Sequence, residues 1–373
     1  MALLGRFSPL ERALTIAGLA PVVLMGAGVH STQQNRALPE PTYRSFLPVP
    51  DAAPRGPAPA GLAATVEALR NAFDGLAGIS VRSVDDGWAI DTVDADRRMP
   101  QQSVSKLWVA LALMDAIDAG RIRLDDPITV TQSDLTLFHQ PIAGLVKDGG
   151  YRTTVRDLLN RAMTQSDNTA NDRLLNAVGG PAAVNAFITK HALGQIRFGP
   201  GERLLQSYTA GVSWQQSYAM GRGFEAARSR LAPATRKAAY QRYVADPIDG
   251  ASASAIAAAL VRLKRGQLLS PQSTSYLLGV MASSRTGRAR LRGGMSAGWS
   301  LAHKTGTGQN YLGRTAGFND VGILTAPDGR SYAVAIMIGD TARPIQERQK
   351  LMQNVVATVA AYHRPSVATD IAR

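Results

Sequence analysis

No cysteine occurs in the 373 residues. That removes disulfides, thiolate metal sites, cysteine nucleophiles and lipid attachment to a cysteine. Histidine is scarce too: His30, His139, His191, His303 and His363 are scattered without the spacing of a metal site, and no metal or other cofactor is expected. No Gly-x-Ser-x-Gly elbow, phosphate-cradling glycine loop or internal repeat is present. Acidic residues are outnumbered 28 to 41, giving a net charge of +13. Between Gly250 and His303 there are none, against Arg262, Lys264, Arg265, Arg285, Arg288, Arg290 and Arg292. Such a surface attracts anionic polymers or small anions. With aromatics at 6% and none interleaved with the basic residues, nucleic acid is not an expected partner.

What is there begins with Arg6 and Arg12, followed by an apolar run from Ala13 to Val29 that ends in small residues. This is the make-up of a secretory signal, or of an N-terminal anchor if uncleaved, over 1–29. A periplasmic or secreted location follows, with membrane contact only through an uncleaved segment. Prolines from Pro39 to Pro59 mark residues 30–60 as an extended linker. The folded domain spans 61–363, and 364–373 form a tail. A helix is expected over 62–76, then strands at 79–84 and 88–93 around the turn Asp85-Asp86-Gly87. Residues 103–119 read as a buried helix ended by Gly120, with Leu107, Leu111, Met114 and Ile117 at helical spacing. Helical patterns dominate from about 121 to 266, and Thr154-Val155-Arg156-Asp157 resembles a capping box. Strands return at 299–304, 315–324 and 331–338, and a helix over 346–362 closes the domain. The expected fold is therefore α+β: an antiparallel sheet drawn from both chain ends, flanked by helices, with an all-helical lobe (121–266) inserted between them.

Three short motifs stand out in order. Ser103 and Lys106 lie three residues apart at the start of a helix, so they share a face, and the helix dipole there favours developing negative charge. A base beside that hydroxyl would make it a nucleophile. Ser166-Asp167-Asn168 falls between two helices, where Ser, Asp and Asn also serve as caps. Lys304-Thr305-Gly306 sits on an apolar strand, and Gly306 would let a substrate approach the strand edge without a side chain in the way.

Together Ser103-Val104-Ser105-Lys106, Ser166-Asp167-Asn168 and Lys304-Thr305-Gly306 resemble the signature of the penicillin-recognising serine hydrolases, and specifically class A β-lactamases. Met99-Pro100, the stretch Ser133-Asp134-Leu135 leading to Phe138, and Glu202-Arg203-Leu204-Leu205-Gln206 extend the likeness. The resemblance implies an α/β sandwich of β-lactamase/transpeptidase type and an acyl-enzyme on Ser103, activated by Lys106. It implies a proton relay through Ser166 and deacylating water held by Glu202 and Gln206. Asn168, Lys304, Thr305, Thr307, Phe138 and Arg290 would bind substrate, and the N–H groups of Ser103 and Thr307 would form the oxyanion hole. The implied substrate is a small β-lactam and the protein is expected to be a monomer.

The chain departs from the family in places. Gln206 stands where Asn is usual. Pro200 replaces the arginine that normally pairs with Asp249, so that ion pair is missing or supplied by another arginine such as Arg197. His303 replaces a more usual Asp. The segment 207–248 is a basic insertion, helical over 224–244. A peptidoglycan-directed D-alanyl-D-alanine peptidase is the alternative activity, and a catalytically idle envelope-binding protein the second.

Overall fold

The computed structural model describes residues 56–364. The signal or anchor segment, the linker up to residue 55 and the tail from residue 365 lie outside the described residues. Helix α1 (Ala60–Asn71) leads into β1 (Leu76–Ser83) and β2 (Ala89–Asp91), antiparallel across the expected turn, where Gly87 adopts φ 78°. The short strand β3 (Met99–Pro100) precedes a 3-10 turn (Gln102–Ser105) and α2 (Lys106–Asp118). Strands β4 (Pro127–Val130) and β5 (Tyr151–Thr154) pair with each other. Next come α3 (Val155–Asn160), which widens into a π turn (Arg161–Gln165), then α4 (Asn168–Ala177), α5 (Gly180–Lys190) and α6 (Glu202–Ala210). The insertion adds α7 (Gly223–Ser229) and α8 (Pro233–Ala245). Strand β6 (Gly250–Ala251) pairs with β3 and is followed by α9 (Ala253–Lys264) and α10 (Pro271–Ala282). The chain ends through β7 (Ser300–Thr307), the small ribbon β8 (Asn310–Tyr311) and β9 (Arg314–Thr315), β10 (Phe318–Thr325), β11 (Ser331–Asp340) and α11 (Ile345–Ala361).

The main sheet has the order β2-β1-β11-β10-β7, antiparallel throughout. Both chain ends contribute to it, as the α+β reading expects. Strand β11 shows why the sheet is sandwiched. Its alternate residues Ala333, Ala335 and Met337 join one core, while Val334, Ile336 and Ile338 join another with Leu62, Val355 and Val359 from α1 and α11. A strand whose two faces are both apolar must be covered twice, and each such side chain contributes about 1.5–3 kcal/mol when fully buried. Helix α2 is apolar all round and lies in the core, with Trp108 buried and its indole N–H on Gln101 Oε1 at 2.5 Å.

Four expectations change. The inserted lobe is not all-helical, because β4 and β5, rich in Thr and β-branched residues, pair as a ribbon within it. The lobe also ends before α9, whose Ile256, Ala257 and Leu260 share a core with Ala333, Ala335 and Met337 of the sheet. The insertion's single helical stretch is two helices, broken ahead of Pro233, which starts α8 instead. Helix α1 stops at Asn71, and the chain turns at Gly75 (φ 154°) to enter β1.

Candidate active site

Ser103 sits on the 3-10 turn, one residue after Gln102, whose backbone is left-handed at φ 53°. That conformation is costly for a non-glycine residue and needs support. Support comes from every side. The Gln102 N–H donates to Asp249 Oδ2 at 2.7 Å, and its Nε2 to the Tyr243 hydroxyl at 2.6 Å. Asn319 Nδ2 donates to the carbonyls of Pro100 and Gln101, and Gln101 Nε2 reaches the Arg197 carbonyl at 3.1 Å.

Lys106, the first residue of α2, is buried below the serine. Its Nζ lies 2.7 Å from Ser103 Oγ, 2.7 Å from Asn168 Oδ1 and 2.5 Å from Glu202 Oε1. The lysine and glutamate side chains are 0% and 2% exposed, so their pairing is essentially unscreened. Glu202 opens α6. Its own N–H and that of Arg203 donate to the two carboxylate oxygens of Asp172, at 2.8 and 3.3 Å. Gln206, one helical turn on, donates from Nε2 to Glu202 Oε2 at 3.2 Å and to Gln102 Oε1 at 3.0 Å.

The second motif occupies the junction of the π turn and α4. Ser166 is left-handed (φ 62°), which turns its hydroxyl toward Lys304, whose Nζ donates to it at 2.9 Å. Asp167 caps α4 through the Ala170 N–H and also accepts from Ile142 N–H. Asn168 is fixed by its Nδ2 on the Leu137 carbonyl at 2.8 Å. Lys304 is fully buried on β7, and burial together with the Lys106 charge pushes its amine well below the usual lysine range. Thr305 shares a hydrogen bond with Thr286 at 2.9 Å.

These groups meet at one cleft of about 610 Å³, lined by Ser103, Phe138, Ser166, Asn168, Gln206, Arg290, Thr305 and Thr307 among others. Lys106, Glu202 and Lys304 stand behind that wall. Phe138 is 44% exposed at the cleft, as expected for a residue at its mouth. Arg290 is there too, although much of its donor capacity is used. Nη1 donates to the Gly306 and Asn319 carbonyls and Nη2 to Thr307 Oγ1 at 2.5 Å, while burial pushes the guanidinium down to about 10.

One site expectation is corrected and one pair of alternatives is decided. An added Cβ on Gly306 would lie 2.2 Å from the Gln101 carbonyl oxygen. The glycine thus makes room for the turn that carries Ser103, not for an approaching substrate. Of the two alternatives for Asp249, the ion pair is the missing one among the described residues: Arg197 turns to Asp246 at 2.7 Å, and a neutral hydroxyl, Tyr243 of the insertion, takes the place at 3.2 Å. Burial pushes the Asp249 carboxyl up to about 7, and Asp172 up to about 6 with the Glu202 charge adding to burial. His303 is buried and hydrogen-bonded to Asp320 at 2.8 Å, a structural pair under the motif, and His139 contacts the Gln165 carbonyl at the cleft.

Sequence reasoning missed Gln102, Asp172 and Tyr243. Asp172 had a signal, since it follows Asn168 by one turn of a helix. Gln102 and Tyr243 had none, being brought together from 141 residues apart. Among the described residues no three His, Asp or Glu side chains converge as a metal site.

Residues 61–363 match the β-lactamase enzyme family. The extended-spectrum β-lactamase PER-1 of Pseudomonas aeruginosa is 28% identical over 262 residues, covering 70% of this chain and 74% of that protein. β-Lactamase VEB-1 of the same organism is 25% identical over 272 residues, covering 73% and 80%. Among solved structures, a β-lactamase from Chitinophaga pinensis superposes with a TM-score of 0.68 at 27% identity, over 81% of this chain and 99% of that one.

Proposed function

The chain belongs to the β-lactamase enzyme family, and from that premise we propose that it hydrolyses β-lactams through an ester on Ser103, which Glu202 then helps water to cleave. The observation that carries this is the buried Lys106, within 2.7 Å of Ser103 Oγ and 2.5 Å of Glu202 Oε1. In the first step Ser103 Oγ bonds to the ring carbonyl carbon and gives its proton to the Lys106–Glu202 pair, and the carbon–nitrogen bond breaks. The nitrogen takes that proton from the pair through Ser166, which Lys304 contacts at 2.9 Å, so the pair is restored before the second step. In the second step Glu202 takes a proton from water, whose oxygen attacks the ester, and Ser103 Oγ leaves with a proton returned from the pair. Thr305, Thr307, Asn168 and Arg290 hold the substrate. The N–H groups of Ser103 and Thr307 stabilise the oxyanion.

A peptidase acting on peptidoglycan shares the first step but has no need of a carboxylate pressed against the lysine. The proposal includes a monomer, with 61–363 as its catalytic domain. It also includes a periplasmic or secreted location, supported by the basic and then apolar N-terminal pattern. No helix among the described residues is long and apolar enough to cross a membrane. The test is intact mass after mixing with benzylpenicillin, alongside hydrolysis of a chromogenic cephalosporin. Rapid hydrolysis with at most a transient adduct supports the reading. A persistent adduct without hydrolysis moves the protein to the peptidase branch, and neither adduct nor hydrolysis leaves an idle binder.

A further inference from the structure

The insertion at 207–248 supplies one wall residue that the chemistry above does not use. Arg228, near the end of α7, lines the same cleft as Ser103. Its Nη1 donates to Gln309 Oε1 at 3.1 Å, and its guanidinium lies 5.9 Å from the ring centre of Phe224. Phe224 is buried and meets Phe138 edge-on at 5.3 Å, which ties the insertion to the mouth of the cleft. Gln309 in turn donates to the backbone and side-chain oxygens of Gln206 at 2.9 and 3.1 Å. Arg228 is therefore held in place by neutral groups. No ion pair engages it among the described residues, and the cleft lining contains no Asp or Glu.

A cation on a cleft wall without a counter-charge raises the local concentration of anions and can be satisfied by one on the ligand. The cleft lining carries two arginines, and they bond to different neighbours. Arg290 bonds to Thr307 and the Gly306 carbonyl beside Lys304 and Thr305, where a β-lactam's own carboxylate is held under the reading above. Arg228 bonds to Gln309, two residues past the end of β7. The first anion is already matched, which leaves the second cation for a different group.

We propose that Arg228 is a specificity determinant that binds a second anionic group, a carboxylate or sulfonate on the acyl side chain, so that dianionic β-lactams are favoured over monoanionic ones. This rests on the reading of Ser103 as the acylated nucleophile. Benzylpenicillin and its α-carboxy derivative differ by one carboxylate and form the matched pair for the test. The readout is the ratio of kcat/KM for the carboxy compound to that for the parent. In Arg228→Gln this ratio falls about tenfold, through KM, since a charge-assisted hydrogen bond is lost. Arg228→Lys restores part of it. An unchanged ratio overturns the proposal alone, whereas hydrolysis of neither penicillin by the wild-type enzyme overturns the underlying reading and the proposal with it. Should Arg228→Gln not fold, wild-type KM against salt decides. Raising sodium chloride from about 0.05 to 0.5 M weakens binding of the dianion about threefold more than that of the monoanion, and parallel curves overturn the proposal.

Discussion

Replacing Glu202 by Gln tests the division of labour at the site. The side chain keeps its size and loses its basicity. One carboxylate oxygen now faces Lys106 Nζ at 2.5 Å and the other accepts from Gln206 Nε2 at 3.2 Å. An amide can serve only one of them with oxygen. Keeping its oxygen on Lys106 sets its NH2 against that of Gln206, and Gln206 cannot flip freely because Gln102 accepts from its Nε2 and Gln309 donates to its Oε1. The local rearrangement costs about 1–3 kcal/mol. Lys106 keeps Ser103 and Asn168 as partners, both at 2.7 Å, so the nucleophile stays in place and acylation survives. The second step loses its general base, worth about 10²–10⁴ in rate, or roughly 3–5 kcal/mol of barrier. An ester that turns over at about 10 s⁻¹ would then persist for about 10 to 1,000 s. Intact mass after rapid mixing with benzylpenicillin should show Glu202→Gln accumulating an adduct of the whole penicillin on Ser103, and Ser103→Ala showing none. Turnover by Glu202→Gln within about tenfold of wild type, with no adduct, would refute the role given to Glu202. Absence of both adduct and turnover would refute the expectation that acylation survives without the carboxylate.

Two further predictions concern the frame of the site. Gly306→Ala places a carbon 2.2 Å from the Gln101 carbonyl, where contact requires about 3.3 Å, so β7 and the Ser103 turn must part by about 1 Å. The expected result is a loss of about 100-fold in kcat/KM with a lower melting temperature, and unchanged kinetics would show that the turn yields without moving the serine. Asp249 contributes a pH dependence of its own. Its carboxyl is pushed up to about 7 in the fold against about 3.9 unfolded, so the folded chain holds a proton that the unfolded chain releases. The contribution of this one group to stability therefore falls as pH rises from about 4 to about 7 and then levels, by on the order of 4 kcal/mol in total. Asp249→Asn removes this part of the slope, leaves the smaller one from Asp172, and is the more stable protein at pH 8. Denaturant melts from about pH 4.5 to 8 measure it, and a variant less stable at pH 8 with the slope intact would contradict the assignment.

Much of this protein is determined locally. Short, continuously apolar strands, the turns at Asp86-Gly87 and Asp328-Gly329, and the apolar helix behind Ser103 follow from patterns a few residues long, and the sheet and its helices form where those patterns lie. The same holds for Ser103 with Lys106 and for Glu202 with Gln206, pairs that a helical turn brings together whatever surrounds them. The β4 and β5 ribbon was hidden because four-residue strands among helices carry too little periodicity to be read. What the chain could not disclose by itself are contacts between distant segments. Lys106 against Glu202, Lys304 against Ser166, Tyr243 on Gln102 and Asp249, and Gly306 against the Gln101 carbonyl depend on how the sheet, the helices and the insertion pack. Distance and desolvation set the chemistry of these groups: a buried carboxyl or amine shifts its proton affinity only once the fold has excluded water around it. Sequence thus determined which residues could react, and tertiary packing decided which of them touch, and in what state of charge.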